Sequence, residues 1–305
     1  MTDGYDPFAA GTFSIDARTF EARDTARDRV FPCEIWSPRV PGTYPLILYS
    51  HHSGGHRRAA TYLCTHLCSH GYVVAALDHS EAVAPELKYR DGETKEQSAA
   101  RAELVIASRV PDLRFLLSQV PATDQVGLVG HSLGGWTVLA APDVEPRVRA
   151  VVALAPGGAS NPRPGILRAE LDFRWGRDVP TLFLVAENDV PLPLEGMYEV
   201  FERTPATKQM VILRRADHMH FMDNVEQMHE TVLNLKFSGE LAWLQKEMRP
   251  MAELCSGEQA HLFIRGLTVS HMDAVLKEKG EARRFLAGDI EGALAARGVE
   301  VRKYP

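Results

Sequence analysis

Short apolar runs alternate along the chain with stretches of helical period. Residues 44–50 (YPLILYS), 72–77 (YVVAAL), 125–129 (QVGLV), 148–154 (VRAVVAL), 181–186 (TLFLVA) and 209–213 (QMVIL) are near-continuous apolar runs bounded by Gly, Pro or polar clusters. Strands buried on both faces of a sheet read this way. Two earlier strands are expected within residues 12–37 (FSIDARTF, then VFPCEIW), ending at Ser37-Pro38. Residues 58–70 have helical spacing, with Leu63 and Leu67 on one face and Gly71 as the stop. Residues 97–120 are helical in pattern, with a break expected before Pro111. Residues 80–96 read as a charged loop, 157–178 as irregular and rich in Pro and Gly, and the chain beyond about 225 as mostly helical. Alternation of strands and helices predicts an α/β fold: a mostly parallel central sheet, antiparallel at its start, with helices on both faces. No repeat or low-complexity linker divides the chain. The expectation is one domain over 1–305, with a core of about 12–235 and a helical C-terminal extension of about 236–305.

The strand at 125–129 leads into Gly130-His131-Ser132-Leu133-Gly134, a G-x-S-x-G motif followed by a helical stretch. A serine on a sharp strand-to-helix turn has its hydroxyl pushed out at the top of the sheet. The following helix points its N-terminus at the reaction centre, where negative charge develops. Ser132 is therefore the expected nucleophile. The bland alternative, a glycine turn ending a strand, does not require this strand-before, helix-after context.

A serine hydroxyl needs an imidazole to take its proton, and the imidazole needs a carboxylate to fix its tautomer. On this kind of sheet the chain order is Ser, then Asp or Glu, then His. The strand at 181–186 ends in Glu187-Asn188-Asp189, so Asp189 is the expected acid and Glu187 the alternative. Asp172 and Asp178 lie in the irregular segment and are weaker candidates. The strand at 209–213 runs into RRADHMHF, which offers His218 and, two residues on, His220. His218 is preferred as the base. The oxyanion of acyl transfer needs two aimed N–H donors. One is the N–H of the residue after the nucleophile, Leu133, and the other belongs to the loop His51-His52-Ser53-Gly54-Gly55.

The stretches CEIWSP, LILYSHHSGGHRR, LCSHGYVVAALDH, VGLVGHSLGGW, LFLVAENDVPLP and RRADHMHF resemble the α/β-hydrolases of the dienelactone-hydrolase and platelet-activating-factor-acetylhydrolase-like group. The resemblance covers most of residues 12–222. It implies an α/β-hydrolase fold, a triad of Ser132, Asp189 and His218, and oxyanion donors at the N–H groups of Ser53 and Leu133. Two departures matter. Relatives read His-Gly-x-Gly-Gly in the first loop, whereas His52 stands here at the first glycine, so the loop is expected to be reshaped or His52 to project into the pocket. Dienelactone hydrolases use a cysteine nucleophile, and this chain has Ser132, so the implied reaction is general ester hydrolysis.

Composition adds exclusions. The chain of 305 residues is 45% hydrophobic and 24% charged, with a formal net charge of −6, an ordinary globular balance without the basic footprint of a nucleic-acid binder. No apolar run reaches the ~20 residues of a membrane helix, so no membrane insertion is expected. Four irregularly spaced cysteines form no disulfide framework, and with no secretory leader visible the expectation is a cytoplasmic protein. Cys64, His66, Cys68 and His70 invite a metal reading, but the two pairs face different sides of a helix. No metal and no cofactor is expected. Trp136, Phe173 and Trp175 are candidate pocket walls. The function expected is cleavage of a small-molecule carboxylic ester through an acyl-enzyme. The alternatives are the same triad acting on an amide, thioester or lactone, and a non-catalytic hydrolase-fold binding protein. Nothing in the sequence specifies an oligomeric state.

Overall fold

The computed structural model describes residues 4–88, 90–121 and 123–305. Among them the chain builds one mixed sheet from strands β1 (Ile15–Asp24), β2 (Arg29–Pro38), β3 (Leu46–Ser50), β4 (Val73–Leu77), β5 (Val126–His131), β6 (Val148–Leu154), β7 (Thr181–Ala186), β8 (Lys208–Leu213) and β9 (Val301–Tyr304). Their spatial order is β1-β2-β4-β3-β5-β6-β7-β8-β9. The centre, from β4 to β8, is parallel. The β1–β2, β2–β4 and β8–β9 pairs are antiparallel. The longer helices are α1 (Thr61–Ser69), α2 (Lys95–Gln119), α3 (Leu133–Ala140), α4 (Leu194–Arg203), α5 (Val225–Asn234), α6 (Gly257–Val275), α7 (Gly280–Ala287) and α8 (Ile290–Ala295).

The apolar runs are buried as their lack of alternation requires: every residue of β3, β5 and β7 is buried. The order β4-β3-β5 reverses the direction in which the sheet is wound. The loops leaving β3 and β5 therefore straddle a topological switch point, where open α/β sheets leave a crevice.

Three expectations are corrected. No break precedes Pro111, because α2 runs unbroken from Lys95 to Gln119 with the proline inside it. An interior proline costs about 3 kcal/mol, but its neighbours Arg109 and Asp112 are wholly buried and bound to other elements, and this fixes the helix through the proline. The helix also begins two residues earlier than expected. Thr94 Oγ1 accepts the N–H of Gln97, and Gln97 Oε1 accepts the N–H of Thr94, a capping box visible in the sequence as T-K-E-Q. Finally, the C-terminal region is not only helical. β9 pairs with β8 at the edge of the sheet, and α6 buries Phe263, Ile264, Leu267 and Met272 in the same core as β5 to β8. Met272 lies so close to β5 that a Cβ at Gly127 would stand 2.7 Å from its sulfur.

Candidate active site

The turn after β5 is the most constrained backbone of the site. Ser132 adopts φ 60°, ψ −117°, a region costly for a non-glycine residue and tolerated where the surroundings over-determine it. Its N–H donates to Leu154 O (2.9 Å), and its carbonyl accepts the N–H groups of Trp136 and Gly157 (both 3.0 Å). The flanking glycines are sterically required. A Cβ at Gly130 would lie 2.1 Å from Gly134 O, and one at Gly134 would lie 2.0 Å from Ser50 O. The elbow is thus pressed against the end of β3, which brings the loop at residues 51–55 beside Ser132.

Ser132 Oγ lies 2.9 Å from His218 Nε2, and His218 Nδ1 lies 2.7 Å from Asp189 Oδ2. The other oxygen of Asp189 accepts the N–H of Leu192 at 2.8 Å. Three side chains from the C-terminal ends of β5, β7 and β8 thus meet, although 86 and 29 positions separate the bonded pairs. Burial pushes the Asp189 carboxyl up, and its two donors hold the charge against that. Burial works against the His218 imidazolium, but the Asp189 charge and hydrogen bond outweigh it, so the His218 pKa lies above its ordinary value. This is the order of groups that deprotonates a serine as it attacks.

His220, the alternative base, does not face Ser132. It is buried between Asp217 (Nδ1 to Oδ1, 2.7 Å) and Cys255 O (Nε2, 2.9 Å). Glu187 bonds the N–H of Arg215, Asp178 bonds Thr207, and Asp172 pairs with Arg174. None of the three reaches His218. Cys64 and Cys68 are core residues, while His66 and His70 donate from Nε2 to Pro7 O and Ala9 O.

The triad opens into a cavity of about 390 Å3 that His52, Ser53, Ser132, Leu133 and His218 share. Leu133 is the first residue of α3, so its N–H has no acceptor within the helix. His52 lines the cavity wall. Burial pulls its pKa down to about 4, so the ring is neutral at neutral pH. Behind it His131, also neutral because burial lowers it, packs at ring distances of 5.7 Å from His52 and 4.6 Å from His218.

Trp136, Phe173 and Trp175 do not line this cavity. Trp136 donates from Nε1 to Glu170 O (2.8 Å) and Trp175 to Leu139 O (3.2 Å), so both indoles are anchored inward. Phe173 packs edge-on against Trp175. The walls are largely aliphatic residues and methionines, among them Ile166, Leu167, Met222, Met228 and Leu241; the sequence offers Met219, Phe221 and Met222 as pocket candidates too, and of these both methionines line the cavity. Arg163 ties the segment before Gly165 to the one that carries Trp243 and Glu247. It forms a two-pronged ion pair with Glu247 and lies 3.7 Å over the Trp243 ring, while Trp243 Nε1 donates to Pro164 O.

Fold and site together define an α/β-hydrolase of the serine ester hydrolase class. The profile of the chlorophyllase family matches residues 4–156, half of the chain, and the chain belongs to that family. It is also similar to the cutinase est1 of Thermobifida alba, 24% identical over 231 residues, covering 75% of this chain and 70% of that protein. The platelet-activating factor acetylhydrolase of Cavia porcellus is 29% identical over 238 residues, covering 63% of this chain and 51% of the relative, so the match spans about half of the acetylhydrolase. Among solved structures, a ferulic acid esterase from Streptomyces cinnamoneus superposes with a TM-score of 0.63 at 20% identity, covering 89% of this chain and 93% of the esterase. That likeness bears on the fold. No helix among the described residues is long and apolar enough to cross a membrane.

Proposed function

We propose that the chain hydrolyses neutral carboxylic esters carrying an apolar group of moderate size, with Ser132 as nucleophile, His218 as base and Asp189 as its orienter. The carrying observation is the hydrogen-bonded chain Asp189–His218–Ser132 opening onto an apolar cavity. His218 takes the proton from Ser132 Oγ as it attacks the ester carbonyl. The N–H groups of Leu133 and Ser53 receive the oxyanion. His218 then protonates the departing alkoxide, and water deprotonated by the same imidazole releases the acid. No metal or cofactor is assigned a part. No lysine, arginine, aspartate or glutamate belongs to the cavity wall among the described residues, which favours an uncharged substrate. A single domain is supported by one core that runs from Phe8 to Val299. A cytoplasmic setting is supported by four unpaired, buried cysteines.

The test is hydrolysis of p-nitrophenyl esters of graded acyl length by the purified protein, beside Ser132→Ala and an EDTA control. The expected result is activity that favours uncharged apolar acyl groups, is lost in Ser132→Ala and is unmoved by EDTA. A folded protein inert to every ester and unlabelled by a fluorophosphonate would overturn the reading.

A further inference from the structure

The loop that carries Ser53 is held from beneath by a buried cation. Arg109 comes from the middle of α2 and is wholly buried. One arm of its guanidinium, Nη1, donates to His51 O at 2.6 Å. The other, Nη2, donates to His52 O at 3.1 Å and pairs with Glu81. Burying a charge this deeply is costly, and an arginine that spends both arms on two successive carbonyls fixes a short piece of backbone that has no strand or helix to fix it.

The His52 carbonyl is the better determined of the two. Besides Arg109, it accepts the Gly55 N–H at 3.1 Å, closing a turn in which Gly54 has φ 69°. His51 Nδ1 also lies 2.7 Å from it. The tautomer of His51 follows from its other nitrogen: Nε2 accepts the backbone N–H of His79 at 3.1 Å, so the proton sits on Nδ1 and is donated to His52 O. Three donors therefore converge on one oxygen from the protein interior.

In a trans peptide the C=O and the N–H of the next residue point in opposite directions. With His52 O held toward Arg109 and His51, the Ser53 N–H faces away from the interior. On that side lies the cavity that Ser53 shares with Ser132, and the Ser53 N–H has no partner among the described residues. We infer that Arg109, with His51, is a positioning residue of the reaction: it fixes the His52–Ser53 peptide plane and so aims the Ser53 N–H at the oxyanion. This rests on Ser132 being the nucleophile. His52 stands where relatives have glycine without a positive φ, so the position asks for none of glycine's freedom. The orientation of the following peptide plane is set by the donors to its oxygen.

The experiment compares an activated ester with its thionoester, in which sulfur, a poor hydrogen-bond acceptor, replaces the carbonyl oxygen. Active sites are counted by fluorophosphonate titration, so misfolded protein drops out. The variants are Arg109→Lys, and Arg109→Met combined with Glu81→Gln so that no buried carboxylate is stranded. Losing one oxyanion donor costs about 10²- to 10³-fold in kcat. Misaiming one is expected to lower kcat on the oxygen ester about 10- to 100-fold, with KM within twofold and the preference for oxygen over sulfur shrinking by the same factor. Arg109→Lys should recover part of it. Should Arg109 variants not fold, His51 supplies the same readout: His51→Gln loses the Nδ1 donor and should narrow the preference, while His51→Asn, which places an N–H near Nδ1, should restore it. Equal losses on both esters, or a change in KM alone, would overturn the inference. Retention of activity in Ser132→Ala would instead remove the reading of Ser132 as nucleophile on which the inference rests.

Discussion

Asp217, the residue before His218, anchors the catalytic loop through a buried charge cluster. Its oxygens lie 2.7 Å from His220 Nδ1 and 2.6 Å from His229 Nδ1, and it also accepts the Met219 N–H at 2.9 Å. Burial disfavours its charge, but the His220 and His229 hydrogen bonds hold the carboxyl well below the ordinary range. His220 is opposed by burial, yet the Asp217 bond raises it to about 10. In Asp217→Asn the shape is kept and the charge is lost. Removing one member of a buried pair costs about 3–5 kcal/mol, a large share of the ~5–15 kcal/mol that holds a domain folded. The pH dependence is a sharper test. Because the folded pKa of His220 exceeds its unfolded value of 6.5, its contribution is complete below pH 6.5 and is lost as pH rises toward about 10. At 1.36 kcal/mol per unit, the His220 contribution should fall by several kcal/mol across that window. The Asp217 contribution runs the other way. It is present above the unfolded carboxyl value and is lost as pH falls through the depressed folded one. Urea unfolding followed by tryptophan fluorescence at pH 6.5, 8 and 9.5 measures the His220 slope in the wild type and in Asp217→Asn. The wild type should lose stability steadily with pH and Asp217→Asn should be nearly flat. A flat wild-type profile, or an equal slope in the variant, would refute the charge cluster.

Asp189→Asn should lower kcat about 10⁴-fold with the fold intact, because the amide cannot hold the His218 tautomer that leaves Nε2 free to accept; circular dichroism and initial rates separate the two. His218 must be neutral to accept the Ser132 proton, and Asp189 raises its pKa against the opposing effect of burial, so activity should fall as pH drops through a value above 6.5, read from log kcat/KM against pH. Leu241→Trp places a large ring in the cavity wall and should shift the preferred acyl length shorter with kcat on acetate little changed; an unaltered chain-length profile would count against that cavity as the acyl site.

Much of this was legible in the sequence because it is local. The run VGLV followed by G-H-S-L-G predicts a buried strand and a sharp elbow. The two glycines have the steric reasons found: Ser50 O and Gly134 O occupy the space where Cβ atoms would stand. Asp189 and His218 were found from their place just after apolar runs, since a parallel sheet gathers the C-terminal ends of its strands on one edge. The candidate acid and base came from chain order, a topological property that sequence carries, and the preference over His220 from His218 standing first after the strand, behind a small residue and an acid.

What the sequence did not carry is which side chains meet when their spacing is not periodic. The cavity walls join residues 166–167 to 222–244, a distance no local pattern records, and so Ile166, Leu167, Met228 and Leu241 line it where Trp136, Phe173 and Trp175 were expected. Trp136 and Trp175 turned inward because their N–H groups found carbonyl acceptors in the interior, a satisfaction only folded neighbours supply. β9 falls within the segment read as a helical extension, since an edge strand is held by backbone hydrogen bonds and needs no apolar signature. Pro111 reads as a breaker until Arg109 and Asp112 are seen locked on either side of it. Arg109 reads as an ordinary charge on a helix; its burial under the His51–His52 carbonyls was decided by tertiary structure, which alone brings a cation and two successive loop carbonyls to the same place.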